Sequence, residues 1–339
     1  MMKFFLFIAL LASAGSAFAV ETDRWEPDAK DVLNVKGGVL NPLFRIRTES
    51  TAGETKNSEV DFEPTPFTKY FVGIGYRNLG ATISWSGANN PEDADKYGTG
   101  TSLDFQFSAF GRNITQYYFY QNYNGYYVNN TSTIDPSFPQ NKYIQRPDIS
   151  TRHYGANFVY NFQPERYSRA VAFDQSGRQI RSGGAWLAML GIHNHAFSAN
   201  PQLIPTQVSG KYGELATLQQ ADLLQANLSG GGGFTWVFND KFSVSTEILL
   251  GYGIAYEKYE SAEYTYRKTD GSLNSNLSFS FGYNGVSNYG IIQVGMDAYT
   301  YHLPDMDLAM TSQRASFHYG HRFDGIDVPF LNKVSGWLD

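Results

Sequence analysis

The stretch from Phe242 to Tyr256, FSVSTEILLGYGIAY, restricts the possible folds more than any other part of the chain. Taken at every second position, Phe242, Val244, Thr246, Ile248, Leu250, Tyr252, Ile254 and Tyr256 form an almost wholly apolar row. Ser243, Ser245, Glu247, Gly251, Gly253 and Ala255 interleave as a small or polar one. A period of two belongs to a strand. A helix would scatter Ile248, Leu249 and Leu250 over three faces and leave no polar stripe. Length is the second constraint: globular strands run about 5 to 6 residues, whereas a tilted strand needs about 9 to 11 to cross a bilayer. Glu247 fixes the orientation, because a carboxylate is costly against lipid and tolerable inside a barrel. Leu249 interrupts the polar row, so the interior is expected to be packed as well as wet.

Composition agrees. The chain carries 24 tyrosines, 25 phenylalanines and 33 glycines with only 17% charged residues, where soluble domains hold about 25%. Met1 to Ala19 has Lys3, an apolar stretch from Phe4 to Ala12 and small residues ending at Ala19. This is the pattern of a secretory signal peptide cleaved after Ala19, and its apolar part is too short for a spanning helix. Residues 20–37 then read as a periplasmic lead-in, 38–323 as the barrel and 324–339 as a C-terminal tail. Without cysteine, no disulfide framework is expected in an oxidising compartment. A net charge of −6 with no basic patch gives no reason to expect a nucleic-acid partner.

Alternation recurs along the chain at Leu40 to Glu49 (weakened by Pro42 and Arg45), Lys69 to Arg77, Leu79 to Ser86, Ser102 to Phe110, Ile114 to Asn124 and Thr151 to Phe162. It returns at Ala185 to Phe197, whose faces are less clean, and at Leu228 to Phe238, the Phe242 stretch, Leu277 to Tyr283, Tyr289 to Thr300 and Ala309 to Phe323. The expected fold is all-β, an antiparallel transmembrane β-barrel of about 12 strands in the outer membrane of a Gram-negative bacterium. Short turns at Asn78, Gly111 to Asn113, Asn239 to Asp240 and Asn284 to Asn288 alternate with longer polar connections, as periplasmic turns and outer loops do. Gln163 to Gly184 breaks that rule, being far too long for a periplasmic turn. Glu214 to Gln225, within the loop Ser198 to Asn227, reads as a turn or two of helix.

Three segments carry a resemblance: Gly125-Tyr126-Tyr127; Arg146-Pro147-Asp148; and Tyr167-Ser168-Arg169-Ala170-Val171-Ala172-Phe173, followed by Gln179 and Ser182-Gly183-Gly184. Over most of the mature chain the sequence resembles an uncharacterised domain-of-unknown-function family of secreted Gram-negative proteins of about this length. Gly184 stands where serine is expected. The resemblance implies an outer-membrane barrel and carries no catalytic residue with it.

Asp104, Glu247, Asp297 and Arg314 fall on inward rows, where they could line an aqueous lumen or pair within it. With Phe110 and Leu249 also inward, the lumen is expected to be partly occluded. Tyr117, Tyr118, Phe119 and Tyr120 are aromatic on both faces, and Gly230, Gly231, Gly232 and Gly233 leave a wall without side chains. Together these are the expected wall of a homo-oligomer. Phe317, Tyr319, Gly320 and Phe323 read as the last strand recognised by barrel assembly machinery. Outer-membrane lipid is the remaining expected partner. His193 and His195 share one face of a strand, but spacing supplies no third ligand, so no metal and no cofactor are expected. Glu92, Asp93 and Asp95 read as a solvated acidic loop, with calcium binding as the alternative. No local motif ties His153, His318 or His321 to a serine. The expectation is therefore a non-catalytic barrel, structural or porin-like, with an outer-membrane lipid hydrolase and a surface adhesin as alternatives.

Overall fold

The computed structural model describes residues 24–27, 32–52, 58–239 and 241–335. The signal peptide, part of the lead-in and the turn residue Asp240 lie outside the described residues. The strands among them are β1 (Trp25–Pro27), β2 (Leu33–Ser50), β3 (Glu59–Pro64), β4 (Lys69–Tyr76), β5 (Leu79–Ser86), β6 (Thr101–Phe110), β7 (Ile114–Val128) and β8 (Ile144–Asn161). They continue with β9 (Gly177–Gln179), β10 (Gly183–Ser198), β11 (Gln220–Phe238), β12 (Phe242–Glu260), β13 (Thr265–Asn284), β14 (Asn288–His302) and β15 (Met306–Phe323). A ring closes in the order β2, β4, β5, β6, β7, β8, β10, β11, β12, β13, β14, β15 and back to β2, giving 12 strands, with β15 pairing antiparallel to β2 along its full length. Closure removes the exposed edges that a sheet cannot keep in lipid.

The ring is not uniform. β3 and β4 both run antiparallel to β2, on its outer and inner halves respectively, so together they act as one interrupted strand. β3 also pairs with the outer end of β7. Above that level β5 and β6 drop out of the circuit, and the barrel narrows from twelve strands to ten. β7 changes partner from β6 to β3 across Gly125, whose φ of +85° suits glycine and where a Cβ would collide with the Thr99 carbonyl. The sequence pattern missed β3 because Val60, Asp61, Phe62 and Glu63 are all buried, which erases alternation. Pro42 does not weaken β2. It lies where residues 41–45 have no partner on the β3/β4 side, so no ladder bond is lost there.

Other boundaries shift for related reasons. β2 starts at Leu33, inside the expected lead-in, and β1 pairs with β9. Gln220 to Asn227 is strand and not helix; only short 3-10 turns at Ser209–Lys211 and Gly213–Thr217 precede it. β12 and β13 extend to a connection of four residues, 261–264, so their hairpin stands well beyond the length a bilayer needs. Pro91–Tyr97 is a short helix capped by the Asn90 side chain; its Asp95 pairs with Lys142 at 3.2 Å.

Outward rows are apolar and exposed, among them Val72, Ile74, Phe105, Leu190, Ile254 and Val294. Phe162, Trp186, Trp236, Phe238, Phe242 and Phe323 gather at the short-turn end, and Tyr70, Trp85, Tyr120 and Tyr154 near the other. A soluble protein does not leave apolar surface of this extent uncovered. An apolar belt between aromatic girdles is the lipid-facing wall of an outer-membrane barrel.

Candidate functional site: a polar chamber between two internal plugs

The long connection between β8 and β10 folds into the short-turn end of the lumen. After Pro164 the chain makes a wide helical turn, Ala170–Asp174, and then β9, which pairs with β1. Tyr167, Ala170, Val171 and Ala172 are buried, and Tyr167 and Ala172 pack with Leu187, Met189 and Leu249 of the wall. That packing explains the unclean faces of β10: its inward residues are apolar because they meet the plug. Several of the plug's backbone carbonyls are met by wall side chains. Ser280 donates to Ala172 (2.9 Å), Asn284 to Gly177 (3.0 Å), Asn34 to Gln175 (3.1 Å), and Arg322 to both Gln175 (2.8 Å) and Gly177 (3.1 Å); Gln293 donates to Phe173. Arg169 reaches Glu247 at 2.9 Å and lies over the Tyr117 ring at 4.3 Å, while Tyr117 donates to Asp174 (2.9 Å).

The outer end is filled differently. The loop 199–219 turns inwards and buries Leu203, Ile204, Val208, Tyr212, Leu215 and Leu218 against Phe44, Ile46, Phe62 and Tyr301 of the narrowed ring. Arg146 holds it in place, pairing with Asp148 at 2.7 Å and donating to the carbonyls of Leu203 (2.7 Å) and Gln202 (2.5 Å). Tyr127, beside the partner switch, donates to Glu63, which pairs with Arg45. The segments that carry the family resemblance thus sit at the inner plug, the partner switch and the clamp on the outer plug.

Between the plugs lies a cavity of about 170 Å³, lined by Asp104, Gln121, Asn157, Arg169, Asp297 and Arg314 among others. The four expected inward charges are all lumenal, and three of them pair with groups that the pattern missed. Asp104 meets Lys69 at 2.6 Å in a fully buried pair, Glu247 meets Arg169, and Asp297 accepts from Asn276 at 2.6 Å. Lys69 was legible in principle, since it shares the inward parity of Phe71. Four cations (Lys36, Lys69, Arg169, Arg314) and four anions (Asp104, Asp174, Glu247, Asp297) leave the chamber and the buried pairs of its wall formally neutral. A smaller cavity of about 20 Å³ shares Lys36, Thr82 and Asp174 with the first and lies between the plug and β4 to β6.

The remaining expected residues divide by parity. Tyr117 and Phe119 face the lumen, so they cannot belong to an outer contact wall; Tyr118 and Tyr120 are exposed outside. Gly231 and Gly233 also face inwards, and a Cβ at Gly233 would stand 2.6 Å from the Tyr167 ring. Gly233 makes room for the plug. Gly230 and Gly232 face outwards, with open space at Gly230. Phe317, Tyr319 and Phe323 are exposed on the last strand, while Gly320 lies beneath Tyr289. The hydrogen bonds of His153, His193, His318 and His321 among the described residues go to the side-chain amides of Gln121, Asn157, Gln175 and Asn288, not to serine.

The family described as a domain of unknown function, DUF4421, matches residues 29–323. No curated protein matches the sequence. Similar solved structures include the outer membrane protease OmpT from Escherichia coli, at 9% identity over 90% of this chain and 100% of that one with a TM-score of 0.41. The COG4313 outer membrane channel from Pseudomonas putida F1 gives 9% identity, 91% and 100% coverage and a TM-score of 0.35. The Pseudomonas putida toluene transporter TodX gives 9% identity, 86% and 90% coverage and a TM-score of 0.28.

Proposed function

We propose that this chain, which belongs to the DUF4421 family, is a non-catalytic outer-membrane barrel, closed at rest, that admits small polar solutes to its central chamber when the inner plug moves. The observation that carries this reading is the unequal fastening of the two plugs. The outer plug buries six large apolar side chains, at about 1.5–3 kcal/mol each, and behaves as core. The inner plug buries fewer large apolar side chains, chiefly Tyr167 and Val171, and is otherwise held by the Arg169–Glu247 pair and by hydrogen bonds to its carbonyls, the latter worth about 1 kcal/mol each when water can replace them. On this reading the inner plug is the segment that yields first, and the proposed route from the periplasm runs past the small cavity beside it, lined by Lys36, Thr82 and Asp174. The neutral charge balance favours uncharged or zwitterionic solutes over ions.

Homo-oligomerisation is part of the same proposal, through a narrower wall than the sequence pattern gave: Tyr118 and Tyr120 on one side, and the outward dent at Gly230 and Gly232 on the other. Native mass spectrometry in gentle detergent is expected to show a defined multiple of the subunit. Proteoliposomes tested in parallel for swelling in small neutral sugars and for phospholipid hydrolysis separate the leading reading from the lipid hydrolase. Slow, size-limited swelling without released fatty acid is expected, and hydrolysis lost in a His153 variant would reverse the assignment.

A further inference from the structure

We propose that His153, His193 and His195 form a three-histidine site for a divalent transition-metal ion, of the class zinc represents, in the wall of the chamber. The site needs two adjacent strands. His193 and His195 lie two apart on β10 and share its inward face, and the β8/β10 register sets His153 directly opposite His195. All three are buried, and one ring nitrogen from each lies within 4.8 Å of the others. Tetrahedral zinc with nitrogen bonds of about 2.0–2.1 Å places its ligands about 3.3 Å apart, so the ring nitrogens need to draw together by at most about 1.5 Å.

Hydrogen bonding singles out the metal-facing atoms. His153 Nδ1 meets Gln121 Oε1 at 3.2 Å, and His193 Nε2 meets Asn157 Oδ1 at 2.8 Å. Each amide oxygen takes the N–H of its imidazole and so leaves a lone pair on the other nitrogen, His153 Nε2 or His193 Nδ1, for a metal. Both of those atoms, and both nitrogens of His195, are buried without a hydrogen-bond partner. Simple packing accounts for the stacking of His153 on His195 (3.9 Å) and for the rings of Phe119 and Tyr299 nearby. It does not account for four unsatisfied ring nitrogens, since an unpaired buried polar group costs about 1–3 kcal/mol. A bound ion would use three of the four. Imidazole selects zinc, copper or nickel over calcium and magnesium. Of the three, His153 lines the cavity, so a fourth ligand would come from the chamber, where Asp297 and Arg314 supply one charge of each sign. The three ligands belong to the wall and not to the plug, so the geometry of the site is independent of plug movement, and only loading and stripping pass through the chamber.

The test uses the full barrel extracted in mild detergent, stripped with a chelator and desalted, with Zn²⁺ and Co²⁺ as probes. One zinc per chain is expected to survive gel filtration, and Co²⁺ is expected to give the intense visible bands of a four-coordinate, nitrogen-rich site. His193→Ala and His195→Ala should each weaken zinc binding at least a hundredfold, and Asn157→Ala about 10–100-fold. His318→Ala, at a lumenal histidine outside the cluster, should change nothing. Folding is checked for each variant by heat-modifiable mobility. If the histidine variants fail to fold, the cobalt spectrum of the wild type and the Asn157 variant decide. A folded, stripped barrel that retains no zinc, a six-coordinate cobalt spectrum, or zinc binding untouched by His195→Ala overturns the proposal.

Discussion

Replacing Glu247 by alanine tests how the inner plug is held. In the native barrel Arg169 Nε lies 2.9 Å from both Glu247 oxygens, and Tyr167 donates to the same carboxylate at 3.4 Å. The substitution leaves the guanidinium with the Tyr117 ring and no carboxylate. Losing one partner of a buried pair costs about 3–5 kcal/mol. Arg169 keeps 16% of its side-chain surface open to the chamber, so water restores part of its solvation and the low end, about 3 kcal/mol, applies. That energy shifts the seated-to-released equilibrium roughly a hundredfold. The other anchors stay in place, so the plug remains mostly seated and the change appears in its opening rate. Hydrogen exchange in detergent reads this directly. The bonded amides of Val171, Ala172 and Ser176 should lose about two orders of magnitude of protection while β14 keeps its own. The paired change Arg169→Met with Glu247→Leu should recover much of the loss, because an apolar pair leaves no buried charge unpaired. Unchanged protection in Glu247→Ala, or a loss spread equally over the wall, would refute this anchoring.

The remaining predictions concern the wall and its assembly. Gly233→Leu should displace Tyr167 and lower stability to urea by about 1–3 kcal/mol, whereas Gly230→Leu, with no atom within 4 Å of its new Cβ, should fold normally and shift native mass spectra towards monomer. Lys69→Met and Asp104→Asn should each cost about 3 kcal/mol, with the double variant losing less than the sum in a double-mutant cycle. Phe323→Ser should reduce the yield of folded barrel in membranes, while Phe330→Ser, at an exposed position of the helix Pro329–Ser335, should not.

The barrel was legible wherever one face met lipid and the other met polar groups, as along Phe242 to Tyr256. Legibility failed where both faces were apolar or both were buried. The inward Leu187 and Met189 of β10 look like lipid-facing residues until the plug beneath them is known, and in β11 the adjacent Leu223 and Leu224 face opposite media while reading as one apolar pair. The length of Gln163 to Gly184 announced an anomaly, but nothing in its composition announced that it enters the lumen. Parity puts Asp104, Glu247, Asp297 and Arg314 on the inward rows and could have put Lys69 there. It could not supply their partners, because Arg169 reaches Glu247 across 78 residues of chain. His153 lies opposite His195 only through register, which no local spacing encodes.

Conductance in planar bilayers tests closure of the lumen most directly, comparing the wild type with a barrel in which residues 166–178 and 202–216 are replaced by short glycine-serine turns. The wild type, inserted and folded, is expected to show no steady current, with brief openings at most, and the doubly trimmed barrel a stable ohmic one. A wild type that conducts steadily at the trimmed level would contradict closure by the chain's own segments, as would a folded, doubly trimmed barrel that stays silent.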